Sequence, residues 1–262
     1  MRVFDFTHAI VREPGRSVVG GLRTTPSAPT YEGVATEHRG YIAALRSAGL
    51  TVDVLPSQEG FPDSVFVEDP ALVVPEGAIL LRPGAPSRLG EREAMRDALT
   101  KHFERIPELQ EGELVDGGDV LITPRTIFIG LSKRTNCAGA EALRDRLRGL
   151  GREARVVATP EGVLHFKTAS SLLDENTILA TRAMADSGVF AGFDILLTPE
   201  GEEGAANALR VNDSVFVGDC YPKTIDMIRN AGLDVVPLAV TEVAKLDAGL
   251  SCMSLRWRKT AL

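Results

Sequence analysis

Gly117–Gly130, GGDVLITPRTIFIG, reads as two short apolar strands, VLI and IFIG, folded back on each other at the turn TPR. A glycine-rich elbow ending on Asp119 leads into the first of them. The same grammar recurs in VEDPALVVPEGAILL (67–81), LHFKTASSLLDENTILA (164–180), ANALRVNDSVFVG (206–218) and, in shorter form, SCMSLRW (251–257). The residues leading the five copies are Asp69, Asp119, Lys167, Asn207 and Cys252, at intervals of 50, 48, 40 and 45. A period near fifty residues is a repeat architecture in which no single unit can bury its own apolar face.

A second signature interleaves with the first. AALRSAGLTVDVLP (43–56), RDRLRGLGREARVVA (144–158) and IDMIRNAGLDVVPLA (225–239) each run from a helix through glycine into an apolar strand. Glycine just past a helix takes the left-handed conformation that closes it, so these are equivalent helix-to-strand joints. A fourth joint is expected near ALTKHFERIPEL (98–109), where the glycine is missing. Five strand–strand–helix–strand modules result. A linear solenoid would leave both ends bare, whereas a ring lets every module bury its face against a neighbour. The reading is therefore an α/β fold, a five-module propeller of pseudo-fivefold form, comprising residues 1–262 as one catalytic domain. The N-terminal strand (1–12) is expected to complete the last module by pairing with the C-terminal region.

Ring closure has a chemical consequence. It gathers Asp63, Glu68, Asp69, Asp116, Asp119, His165 and Cys252 at one pole, although they span nearly the whole chain. Any one of them alone reads blandly: a core histidine, a tight turn, a buried free thiol. Together they make a thiol and an imidazole among carboxylates. A thiol attacks only as its thiolate, and a guanidinium substrate brings the positive charge that helps form it. Carboxylate oxygens also match planar N–H donors in pairs. The cluster suits attack by Cys252 on a guanidinium carbon, with His165 serving as acid and then as base. No metal site is expected, since the histidines and cysteines lack short local spacing.

Composition is consistent with this. The chain of 262 residues carries a net charge of −7 with acids and bases interspersed, so no basic nucleic-acid footprint is present. No apolar run approaches the ~18 residues that span a bilayer, and the N-terminus has no signal-peptide pattern. Three cysteines without pairing spacing point to free thiols and a cytoplasmic location. The sequence leaves the oligomeric state open.

FPDSVFVEDP (61–70), RPGAPSRLGE (82–91), LVDGGDVL (114–121), GLSKRTN (130–136), VLHFKT (163–168) and SCMSLR (251–256) together resemble the dimethylarginine dimethylaminohydrolases, members of the guanidine-modifying superfamily. The resemblance runs through the chain in order. It implies hydrolysis of Nω-monomethyl- and asymmetric Nω,Nω-dimethyl-L-arginine to citrulline through a covalent thiouronium, without cofactor. It also implies Cys252 as nucleophile, His165 as acid/base and Asp116 as orienter of His165 or contact to the guanidinium. For substrate it implies the acidic pair Glu68 and Asp69, Asp63 near the amino-acid end, Arg88 and Arg134 on the α-carboxylate, and backbone contacts from Leu22 and Leu246. The segment from Gly15 to Pro29 corresponds to a mobile lid. Two alternatives stay open: the same chemistry on another arginine or guanidine, as in a deiminase or hydroxyarginine hydrolase, and a non-catalytic propeller that binds a partner.

Overall fold

The computed structural model describes residues 2–259. Met1 and residues 260–262 lie outside the described residues, and with them most of the tail RKTAL (258–262), for which the sequence suggests no function. In chain order the elements are β1 (His8–Arg12), α1 (Tyr31–Ser47), β2 (Thr51–Leu55), β3 (Ala71–Val74), β4 (Gly77–Leu80), α2 (Glu91–Leu99), β5 (Val120–Ile122), β6 (Ile127–Leu131), α3 (Cys137–Gly149) and β7 (Ala154–Ala158). There follow β8 (Ser170–Leu172), β9 (Thr177–Ala180), α4 (Arg182–Asp186), β10 (Asp194–Leu197), β11 (Leu209–Val211), β12 (Ser214–Gly218), α5 (Pro222–Asn230), β13 (Asp234–Leu238) and β14 (Leu255–Trp257).

The strands form five small sheets, four of them three-stranded and mixed on one plan and the β3–β4 sheet a two-stranded antiparallel pair. An inner strand runs antiparallel to a middle strand, as Leu121 opposite Phe128 shows for β5 and β6. The middle strand then crosses over through a helix to a parallel outer strand, as β6 does through α3 to β7. Parallel pairing needs such a crossover, which is why strand pairs alternate with helices in the sequence. The fifth sheet is assembled from both ends of the chain. Within it β14 pairs antiparallel with β1, Leu255 facing Ile10, and β1 pairs parallel with β2.

The expected joints form where glycine stands. Gly49, Gly151 and Gly232 have φ of 91°, 75° and 85°. The next residue in each case donates its N–H back into the helix, Leu50 to Leu45 O, Arg152 to Leu147 O and Leu233 to Ile228 O. This is the Schellman closure. The joint without glycine is also the module without a full outer strand. After α2 the chain makes isolated bridges instead of a strand, parallel between Leu80 and Glu108 and antiparallel between Arg82 and Val115. Pro107 explains part of this: its carbonyl accepts from Leu80 N, but it has no N–H to continue the ladder.

Apolar residues fill wedges between successive sheets. Leu72, Ile79, Val120, Ile129 and Leu147 pack between the β3–β4 and β5–β6–β7 sheets. Phe128, Phe166 and Ile178 fill the next wedge, and Leu179, Val215 and Ile228 the one after it. Val11, Tyr41, Val211 and Phe216 join the β11–β12–β13 sheet to the sheet made from the two chain ends. Ile10, Val73, Leu80 and Trp257 join that sheet to β3–β4. Each wedge is a small core of its own, and truncating a buried leucine in one, such as Leu147→Ala, should cost about 2–5 kcal/mol.

Candidate active site

Short turns, four of them 3-10, lead into the inner strands and deliver the polar side chains. The inner strands are only three or four residues long, so the residue just before each lies at the same end of its sheet. Hydrogen bonds tie those ends together. Asp69 Oδ1 accepts from Gly118 N at 2.9 Å, and Asp119 Oδ1 accepts from Phe166 N at 2.9 Å. Ser251 N donates to Asn207 Oδ1 at 3.1 Å, and Glu68 N donates to Cys252 O at 3.2 Å. The approach is close enough to dictate glycine in the elbow. A Cβ on Gly118 would lie 2.9 Å from His165 Cγ, and one on Gly117 would lie 2.0 Å from Glu68 O.

Cys252 sits in a 3-10 turn, Ser251–Met253, anchored by fully buried Met253. Its thiol is 8% exposed; Gly249 N donates to Sγ at 3.5 Å and Asn207 Nδ2 at 3.7 Å. Burial, then the negative charges of Glu68 and Asp69, push the thiol up to about 12. His165 is held by Thr168, whose Oγ1 accepts from His165 N and donates to His165 O. Burial disfavours its protonated form, but the hydrogen bond to Asp116 and the charges of Asp69 and Asp119 outweigh that, raising it to about 9. His165 therefore enters neutral solution as an imidazolium, and Nε2–H donates to Asp116 Oδ2 at 2.9 Å. Asp116 is fixed from its other side by Gly84 N at 2.7 Å. The aspartate side chain is thus long enough to orient His165, and it is fully buried.

The acidic pair divides its partners. Glu68 Oε1 pairs with Lys167 Nζ at 2.6 Å, and Oε2 accepts from Ser251 Oγ at 3.0 Å. Asp69 Oδ2 pairs with Arg88 Nη1. Arg88 is buried and already committed: Nε and Nη2 bind Glu91 at 3.0 and 2.8 Å, and Nη2 reaches Phe66 O at 2.9 Å. Burial lowers its affinity for the proton, but Glu91 and Asp69 reverse this and hold it well above its ordinary value. In turn Arg88 and His165 keep Asp69 below the ordinary carboxylate value despite its burial. Arg134 is different. Its backbone N donates to Ser132 Oγ at 3.0 Å, while its half-buried guanidinium has no partner among the described residues.

The segment from Gly15 to Pro29 folds over this region with a 3-10 turn at Arg16–Gly20. Acidic side chains hold it down along its length. Glu59 accepts from Arg16 N and Ser17 N, Asp63 Oδ1 accepts from Leu22 N at 2.9 Å, and Asp247 Oδ1 accepts from Thr24 Oγ1 at 2.9 Å. Gly21 passes between Asp63 and Leu246 so tightly that a Cβ there would lie 3.0 Å from each. The Leu22 N–H and the buried Asp63 and Leu246 side chains thus lie around this passage, while the Leu22 side chain is exposed. Burial raises Asp63 above the ordinary aspartate value.

Of the gathered carboxylates, Asp119 turns out to be structural. Its oxygens take Ser132 Oγ, Thr135 Oγ1 and Phe166 N. Residues absent from the sequence-derived site also matter: Lys167, Asn207, Gly249, Glu91 and Asp247. Lys167 and Asn207 were visible as leaders of the repeat, and only the pairing of module ends reveals what they touch. Asp69, Asp116 and His165 bring three metal-capable atoms within 4.8 Å of one another. His165 and Asp116 are bonded to each other and Asp69 to Arg88 and Gly118 N, and a protonated imidazole has no lone pair to offer a cation.

A buried thiol, a protonated imidazole and paired carboxylates define a hydrolase built around a cysteine. A family model described as "N,N dimethylarginine dimethylhydrolase, eukaryotic" matches residues 26–164. The chain is 37% identical over 254 residues, 96% of this chain and 100% of its relative, to the N(G),N(G)-dimethylarginine dimethylaminohydrolase of Pseudomonas aeruginosa. The solved structure of the Pseudomonas aeruginosa enzyme, a cysteine-to-serine variant complexed with citrulline, superposes with a TM-score of 0.94, covering 97% of this chain and 100% of that one at 37% identity. A dimethylarginine dimethylaminohydrolase adduct with S-methyl-L-thiocitrulline, in a histidine-to-glycine variant, gives 0.92 at 37% identity, covering 96% and 99%. The chain belongs to the dimethylarginine dimethylaminohydrolase family.

Proposed function

We propose that this enzyme hydrolyses Nω,Nω-dimethyl- and Nω-monomethyl-L-arginine to L-citrulline and dimethylamine or methylamine. The observation that carries this reading is the opposed tuning of two groups. Burial, with the charges of Glu68 and Asp69, keeps the Cys252 thiol protonated, while Asp116 with Asp69 and Asp119 keeps the buried His165 charged. Such a site is quiescent until a cation arrives. A guanidinium about 4 Å from Sγ, at an effective dielectric near 20, stabilises the thiolate by about 4 kcal/mol, about three pKa units. The thiol proton passes to solvent and the thiolate attacks the guanidinium carbon. His165 then protonates the departing amine, leaving a Cys252 thiouronium. Neutral His165 takes a proton from water as its oxygen adds to the same carbon. Collapse breaks the C–S bond and releases citrulline.

Glu68 and Asp69 receive the guanidinium N–H groups, and Asp63 with the backbone at Leu22 and Leu246 receives the α-amino group. Arg134, with its unpaired guanidinium, takes the α-carboxylate. Arg88 joins it by exchanging partners, once the substrate supplies Asp69 with another guanidinium. The segment over the pocket acts as a lid that excludes water when closed. The domain is a single five-module propeller, supported by the apolar wedges that link each sheet to the next and the last to the first. A cytoplasmic setting is supported by three unpaired cysteines. Among the described residues no helix is long and apolar enough to cross a membrane.

The test is relative turnover. Purified protein should form citrulline from dimethyl- and monomethylarginine far faster than from arginine or Nω-hydroxyarginine. Arginine as the best substrate would refute the assignment.

A further inference from the structure

Beside the Glu68–Lys167 pair lies a cavity of about 170 Å³, with both residues in its wall. Its wall includes residues from all five inner strands, β3, β5, β8, β11 and β14, together with the segment around Phe4 and Phe6. Cys252, His165 and Asp116 do not line it. Its charge is opposite to that of the chain. Arg2, Arg152, Lys167, Arg210, Arg256 and Arg258 line it against only Asp5 and Glu68, in a protein of net charge −7.

Several of these cations are compensated locally. Arg2 pairs with Asp5 and Asp213, Arg152 with Glu76, and Lys167 with Glu68. Arg256 spends Nη1 on the Ser251 and Ser254 carbonyls and lies 3.5 Å from Glu68, but its buried Nε has no partner. Arg210 has no carboxylate in ion-pair contact, although Asp213, Asp174 and Asp234 act on it at longer range. It is 8% exposed and makes one hydrogen bond, from Nε to Asn212 O at 2.7 Å. Its guanidinium lies 5.0 Å from the Phe4 ring centre and Nη1 is buried without a partner. No carboxylate pairs with Arg210 or Arg258 among the described residues, and Ser171 Oγ in the same wall is buried and unbonded. Buried guanidinium groups are ordinarily matched by an anion, and planar N–H donors select oxyanions.

We propose that this axial cavity binds a small oxyanion carrying two negative charges, held by Arg210 with Arg256, Arg258 and Ser171. The site is distinct from the thiol pocket, and it shares Glu68, Lys167 and Ser251 with the surroundings of Cys252. An anion there sits behind the two cations that face Glu68.

Inorganic phosphate is the probe, titrated calorimetrically into the full chain at constant ionic strength with chloride as the balancing anion. Wild type should bind one phosphate saturably. Arg210→Met should weaken binding at least tenfold while leaving turnover of the methylated arginines unchanged. Arg258→Gln, at the exposed mouth where folding is not at stake, should weaken it several-fold. Arg134→Gln, in the substrate pocket, should bind phosphate like wild type. The proposal is overturned if phosphate shows no saturable binding over chloride, or if folded Arg210→Met and Arg258→Gln both bind as wild type does. It is equally overturned if Arg134→Gln abolishes binding, since the anion would then occupy the substrate pocket.

Discussion

Replacing Glu68 with glutamine should move the reactivity of Cys252 and the turnover of substrate in opposite directions. Burial and the charges of Glu68 and Asp69 place the thiol at about 12. A unit charge about 6 Å away, at an effective dielectric near 20, is worth about 3 kcal/mol, or about two pKa units. Glu68→Gln also frees Lys167, which already acts to lower the thiol, so both consequences have one sign. At pH 8 the thiolate fraction should rise about 100-fold. Intrinsic nucleophilicity falls with pKa along a Brønsted slope of about 0.45, which returns about 8-fold. The net gain is about tenfold in the rate of alkylation by iodoacetamide. Cys137 and Cys220 are exposed, so the assay belongs in a Cys137→Ser/Cys220→Ser background. Over the same change, kcat/KM for dimethylarginine should fall about 10- to 100-fold, the cost of one charged hydrogen-bonding partner. Alkylation that slows or stays constant would show that the carboxylate does not hold the thiol protonated, and the substrate-activated mechanism would lose its basis.

Three further outcomes follow from other parts of the structure. Asp116→Asn should bring His165 down from about 9 toward its ordinary value near 6.5, seen in its NMR titration, and lower kcat at least tenfold. Because a raised histidine pKa stabilises the fold below about 6.5 and the gain is lost as pH rises through about 9, wild-type stability should fall across that window and the variant's should fall less. His38 is buried, its Nε2 has no partner, and burial lowers it to about 4. The folded state therefore loses stability as pH drops from about 6.5 to 4, by about 3 kcal/mol, and His38→Leu should flatten that limb in urea titrations. Asp247 holds the segment over the site at Thr24 from a left-handed backbone with φ of 54°. Asp247→Gly removes the latch without straining the turn, so KM should rise about 3- to 10-fold, with faster proteolysis near Thr24 and an unchanged melting temperature; an unmoved KM would show the latch to be idle.

The modules were legible because their signals are local. Gly49, Gly151 and Gly232 close helices through their own left-handed conformations, and the turns at PEG, TPR, DEN and ND need no tertiary partner. The gathering of Cys252 and His165 around Asp69, with Asp116 on His165, followed from repetition, since the residues at and just before the aligned leaders share one end of the sheets. Pairings across module ends were not legible. Nothing in the local pattern of Glu91 says that it neutralises Arg88, or in that of Lys167 that it meets Glu68, 99 residues away. Arg88 reads as free to clamp a carboxylate, whereas folding buries it against Asp69 and Glu91. The outer strand of the second module was lost for a reason visible in retrospect, a proline at 107 where a donor was needed. The basic axial cavity had no linear signature, because its lining is contributed in small pieces by all five sheets.

The central claim is that Cys252 carries the substrate's amidine carbon during turnover. Acid quenching of the enzyme during steady-state hydrolysis of dimethylarginine, followed by peptide mass spectrometry, tests it directly. The account predicts an adduct on the peptide containing Cys252, of substrate less one dimethylamine, that is absent in Cys252→Ser along with citrulline formation. Citrulline production by Cys252→Ser, or an adduct on any other residue, would contradict it.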